Sequence, residues 1–121
     1  MLTEHEEQVL VIEYCDLKNI TVFAIPNGSN KSKASANKFK KEGLRSGVPD
    51  LMIPVARQGA FGLFIKMKRS KSTPSQLSDN QRKWIKILDS EGYAVHICNG
   101  FEDAKIVIDN YFKQTHEVYQ G

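Results

Sequence analysis

Apolar positions along this chain recur first at helical spacing, then at strand spacing, and the changes of period mark its elements. Thr3 with Glu6 forms a capping box, which predicts a helix from residue 4 to about Lys18 with Leu10, Val11, Tyr14 and Leu17 on one face. At ~100° per residue, Glu4 and Glu7 fall on that same face rather than the wet one. Ile20 to Ile25 is rich in β-formers and predicts a strand, closed by the turn chemistry of Pro26-Asn27-Gly28. Residues 27–46 read as a mobile basic segment with a short helix from Ala34 to Leu44. Leu51 to Val55 and Gly62 to Lys68 predict two strands joined across the turn Arg57-Gln58-Gly59-Ala60. A polar loop from Ser70 to Gln76 leads to Ser78, which with Gln81 makes a second capping box. The helix that follows carries Trp84, Ile85, Ile87 and Leu88 as its stripe and stops at Gly92. Tyr93 to Cys98 predicts a strand, and Phe101 to Phe112 a helix with Ala104, Ile108 and Phe112 on one face. Residues 114–121 are polar and read as a frayed tail.

The order is α-β-(α)-β-β-α-β-α. A hairpin followed by a strand-helix-strand crossover predicts an α/β fold with a central mixed sheet flanked by helices on both faces. With 121 residues the chain reads as one domain over 1–121. Apolar residues at 40% and charged residues at 26% are ordinary for a soluble globular protein. No apolar run is long enough to span a membrane, and the acidic first seven residues lack an export segment. Cys15 and Cys98 lie in apolar stretches and read as reduced core residues of a cytoplasmic protein.

The net charge of +3 is too small to identify a partner, but its distribution is uneven. Lys31, Lys33, Lys38, Lys40, Lys41 and Arg45 face a single acid, Glu42, and Lys66, Lys68, Arg69 and Lys71 form a second cluster. Two basic clusters suit a polyanion; a solvated lysine-rich face accounts for them equally well.

Between the clusters lies a candidate site. Alternation puts Phe64, Lys66 and Lys68 on one face of their strand, and the hairpin brings Asp50, at the entry to the partner strand, near that strand's exit. An acid facing an acid-x-lysine is what phosphodiester hydrolysis asks for. A divalent cation held by carboxylates polarises the phosphate and acidifies its water, and a lysine orients that water or supports developing charge. Asp50 and Lys68 fit that demand, while Lys66 sits where the second acid belongs and carries the opposite charge. Plainer readings stand beside this one. Asp50 after Pro49 suits a turn, Lys66 and Lys68 an edge strand's wet face, Gln81 a cap, and Glu4 and Glu7 a helix's first turn. Trp84 reads as core. No zinc spacing joins His5, His96 and His116 to the cysteines, and neither a nucleophile-base pair nor a phosphate-cradling glycine loop is visible.

Thr3-Glu4-x-x-x-Gln8, Gly47-Val48-Pro49-Asp50-Leu51, Phe64-Ile65-x-Met67-Lys68, Leu77-Ser78-x-x-Gln81-x-x-Trp84 and Gly92-Tyr93 with Val95 follow one another over nearly the whole chain. In these residues it resembles the VRR-NUC (virus-type replication-repair nuclease) domains, a branch of the PD-(D/E)xK nucleases with a restriction-endonuclease-like core. The resemblance implies a structure-specific endonuclease acting on branched DNA, a Holliday junction or a flap, with Mg2+ or Mn2+ as cofactor. It implies metal ligation by Asp50, by residue 66 and by the carbonyl of Met67, a catalytic role for Lys68 and a supporting one for Gln81. A glutamate of the first helix is expected to contact the metal; spacing to Gln8 places it at Glu4, with Glu7 as rival. DNA contacts are expected of Lys31, Lys33, Lys38, Lys40, Arg45, Arg69 and Lys71. The resemblance implies that stand-alone phage members are homodimers on four-way junctions, whereas domains inside larger repair proteins act alone on flaps; this chain is expected to be of the stand-alone, homodimeric type. The chain departs from the pattern at Lys66, where the family expects Glu. A lysine cannot ligate the metal, so cleavage is expected to be impaired, whether by an introduced substitution or in a natural inactive member. The alternative is a non-catalytic DNA-binding module of the same fold.

Overall fold

Capping side chains set where the helices begin. In this computed structural model, which describes residues 2–27, 32–69 and 77–113, α1 (Glu4–Leu17) starts at Thr3. The Thr3 hydroxyl accepts from the Glu6 N–H at 3.1 Å, and the Glu6 carboxylate accepts from the Thr3 N–H at 2.8 Å. Ser78 and Gln81 repeat this reciprocal arrangement at the head of α3 (Asp79–Ser90). Ser32 caps α2 (Lys33–Lys41) within the basic segment, and α4 (Phe101–Tyr111) begins at Gly100 without a side-chain cap of its own. The predicted loop at 70–76 and tail at 114–121 lie outside the described residues. No helix among the described residues is long and apolar enough to cross a membrane.

Among the described residues the sheet has four strands, β1 (Phe23–Ala24), β2 (Leu51–Ile53), β3 (Leu63–Lys68) and β4 (Ala94–Asn99), side by side in that order. β2 runs antiparallel to β1 and β3, and β4 runs parallel to β3 by the crossover through α3. The expected order and mixed sheet are therefore observed. Leu63, Ile65 and Met67 line one face of β3 and are fully buried with Leu51 and Ile53 of β2, Val11 and Cys15 of α1, and Ala104 and Ile108 of α4. Each Val, Leu, Ile or Met among them contributes about 1.5–3 kcal/mol of burial. The opposite face meets α3, and there Phe64 packs edge-on against Tyr93 with ring centroids 5.3 Å apart.

Several expectations are corrected. Leu17 is 80% exposed; the inward stripe of α1 is Glu7, Val11 and Cys15, one turn apart, which leaves Leu17 on the solvent side. The predicted strand from Ile20 to Ile25 shortens to β1, with one further bond from Ile25 to Asp50, while Ile20 and Val22 pack on the core ahead of it. β2 stops at Ile53, since Pro54 has no N–H to extend the ladder. Ile87 is exposed rather than part of the α3 stripe. Of the two acids expected on the apolar face, Glu4 is exposed on the first turn and only Glu7 is buried.

Long-range caps complete the packing. The Glu7 carboxylate accepts from the Phe101 N–H at 2.8 Å, so α1 supplies the acceptor that Gly100 lacks and places a negative charge at the α4 N-terminus. At the other end, Gln58 with φ of 51° turns its amide to the Asn110 and Tyr111 carbonyls at 2.6 and 3.0 Å. Tyr14 donates to Asp109, which ties α1 to α4 and pushes the phenol up to about 12.

Glu7→Ala leaves the Phe101 N–H without its partner and is expected to cost about 1–3 kcal/mol in urea unfolding. Glu7→Gln, which keeps an acceptor, loses less. A loss no larger than that of the exposed Glu4→Ala would contradict the cap.

Candidate active site

Asp50 is held before its charge is considered. Gly47 has φ of +91°, and a Cβ there would lie 2.5 Å from the Asn80 carbonyl carbon, so the turn ahead of Asp50 backs directly onto the first turn of α3. Pro49 is fully buried. The Asp50 N–H donates to Ile65 at 2.9 Å and its carbonyl accepts from Ile25 at 2.8 Å, which fixes its backbone between both neighbouring strands.

The carboxylate is equally constrained. Oδ2 accepts from the Met67 N–H at 2.7 Å, and Oδ1 from the Asn27 side chain at 3.2 Å. Lys66 Nζ lies 3.3 Å from Oδ2 and 3.5 Å from Oδ1, across both oxygens. The two side chains are only 10% and 14% exposed, so this is a largely buried pair. At an effective dielectric of ~20 the attraction is about 5 kcal/mol, offset by the desolvation of both charges. The expectation of a wet edge-strand face at Lys66 is therefore overturned: β3 is central, and the lysine is buried.

Lys68 continues the same face. Its Nζ lies 3.5 Å from Gln81 Oε1, the oxygen that also accepts from the Ser78 N–H at 3.0 Å. Gln81 thus caps α3 and meets the lysine at once. The structure brings Asp50, Lys66, Lys68 and Gln81 together, with Met67 contributing its N–H. Glu4 stands apart on the exposed first turn of α1, and the Glu7 carboxylate is engaged by α4.

These residues do not fit a divalent cation. Mg2+ wants several hard oxygens, whereas the acid present already holds an ammonium, and a lysine offers no lone pair while charged. Among the described residues no three His, Cys, Asp or Glu converge on one point. Lys38, Lys40, Arg45 and Arg69 are exposed; Lys31, Lys71 and the Lys33 side chain lie outside the described residues. Sequence reasoning missed Asn27, read only as turn chemistry, and Lys83, which joins Lys40 and Arg45 around one cleft. Asn27 gives no signal of its own, because its partner lies on another strand.

The VRR-NUC domain family model matches residues 2–102. A solved structure described as a VRR_NUC domain protein superposes with a TM-score of 0.75 at 30% identity, covering 91% of this chain and 88% of its own. No curated protein matches the chain.

Lys66→Met keeps an unbranched side chain one atom shorter and strands the Asp50 charge. The expected loss is near the low end of the roughly 3–5 kcal/mol for breaking a buried pair. Adding Asp50→Asn should recover part of it. Additive losses in that double-mutant cycle would show that the pair is not coupled.

Proposed function

Because this chain belongs to the VRR-NUC family, whose domains are of nuclease type, we propose that it is a branched-DNA-binding nuclease domain silenced by Lys66. The observation that carries this reading is the ammonium lying across both oxygens of Asp50. Around it the rest of the frame is in order. Asp50 is pinned at the strand entry, Lys68 is two residues beyond position 66, and Gln81 is against Lys68. With Glu at position 66 the donor set becomes two carboxylates, which suits Mg2+ or Mn2+. In the silent form the exposed Lys38, Lys40, Arg45 and Arg69, with Lys31, Lys33 and Lys71, serve to hold phosphates. The same ion pair favours a second reading, a DNA-binding module that has lost catalysis beyond repair by one residue.

We further propose a homodimer, since a four-way junction has near two-fold symmetry that a two-fold pair of domains matches. Phe23 on the edge strand β1 is 49% exposed, Ile106 on α4 is 59% exposed, and Leu2 and Val9 leave apolar surface near the α1 N-terminus. These are the surfaces offered for it.

With Mg2+ or Mn2+, the chain is expected to leave four-way junctions and flaps intact, Lys66→Glu to cut them, and a further Lys68→Ala to abolish cutting again. Efficient cleavage by the unaltered chain sinks the reading of Lys66, and an inert Lys66→Glu that still binds DNA selects the non-catalytic module. Light scattering at micromolar concentration is expected to give a dimer mass; a monomer both with and without junction DNA refutes the dimer and favours flaps.

A further inference from the structure

One cleft is not accounted for by the ion pair. It encloses about 400 Å3 between α2, the turn after it, and α3, a size typical of sites for small organic ligands. Lys40 and Arg45 form one side, Asn80 and Lys83 the other, and Trp84 contributes an aromatic surface between them. None of its lining residues is an acid. Three cations around one concavity select an anion. Arg45 is oriented by the protein itself, donating to the Lys40 and Leu44 carbonyls at 2.9 and 3.3 Å.

Phosphate alone does not call for a half-buried indole. Cations beside an aromatic surface are what single-stranded nucleic acid uses, one for its backbone and the other for its bases. We propose that the cleft binds an unpaired nucleotide of a DNA strand, with flanking phosphates on Lys40, Arg45 and Lys83 and the base against Trp84. A paired base cannot enter a concavity of this kind without leaving its stack, which costs energy that an unpaired base does not spend. The cleft therefore favours DNA where pairing is interrupted. This deepens the DNA-binding reading above and rests on it, but not on whether position 66 permits cleavage. Asn27 borders the cleft and also donates to Asp50, so a strand seated there runs alongside the ion pair.

Trp84 is the one tryptophan in the chain, so its emission reports on the cleft directly. The chain as it stands is titrated with a deoxythymidine oligomer of about ten nucleotides, within the usual span of single-strand sites, and with a blunt duplex of equal length. The oligomer is expected to quench Trp84 saturably, and the duplex to quench it far less at equal occupancy measured by anisotropy. Lys40→Glu with Lys83→Glu, both exposed, should flatten the log-log salt dependence of oligomer binding by about 1.4, at ~0.7 per phosphate on single strands. Oligomer binding without quenching, equal quenching by duplex, or an unchanged slope in the double variant would each overturn the proposal. If Lys66→Glu cuts branched DNA while Trp84 stays silent, the cleft assignment alone fails. If neither oligomer nor branched DNA binds at all, the DNA reading falls with it.

Discussion

A carboxylate that is nearly buried has to be neutralised by something, and the partner given to Asp50 organises the centre of this molecule. The residue joins β2 to both its neighbours through its own backbone, and its side chain receives the Met67 amide, the Asn27 amide and the Lys66 ammonium. The point where three strands are laced together is thus also the point where a largely buried ion pair sits. An ammonium satisfies the structural half of that demand. It compensates the acid without any outside ion, which separates folding from metal supply. Two acids at the same place would repel each other, and the sheet would then lean on a cation for its cohesion as well as its chemistry.

Helix α3 is the second fixed reference. Its first turn receives Gly47 so closely that no side chain fits, its Gln81 meets Lys68, and its Lys83 and Trp84 form part of the basic cleft. The strand entry, the lysine and the cleft are therefore registered against one rigid rod rather than against separate loops, and functional groups keep their spacing best on such support. The crossover that places α3 over β3 and β4 is in this sense part of the site.

Much of this was legible in the sequence because it is local. Both capping boxes, the hairpin, and the alternation that sets Lys66 and Lys68 on a shared face depend on residues within a few positions of one another. What was not legible depends on partners far along the chain. Leu17 looked inward by periodicity, but where the stripe points is fixed by the sheet and α4, which chose Glu7, Val11 and Cys15 instead. Spacing to Gln8 pointed to Glu4 over Glu7, whereas the acid that is buried is Glu7, because its partner is Phe101, far along the chain. Asn27 with Asp50 and Gln58 with the end of α4 are tertiary pairings to which no local pattern points. The candidate site was readable at Asp50, Lys66, Lys68 and Gln81, since strand alternation and the α3 cap place them. The depth of Lys66 was not, since that depends on β3 lying between two other strands.

The slot that holds Lys66 also has a genetic meaning. It is filled by a long side chain carrying its charge at the tip, against the Asp50 carboxylate. The codons of lysine and glutamate differ solely in the first base. A single transition in the gene therefore exchanges the ammonium that neutralises Asp50 for a second carboxylate. One mutational step thus separates an Asp50 whose charge is balanced from within the chain from one whose balance would have to come from outside it.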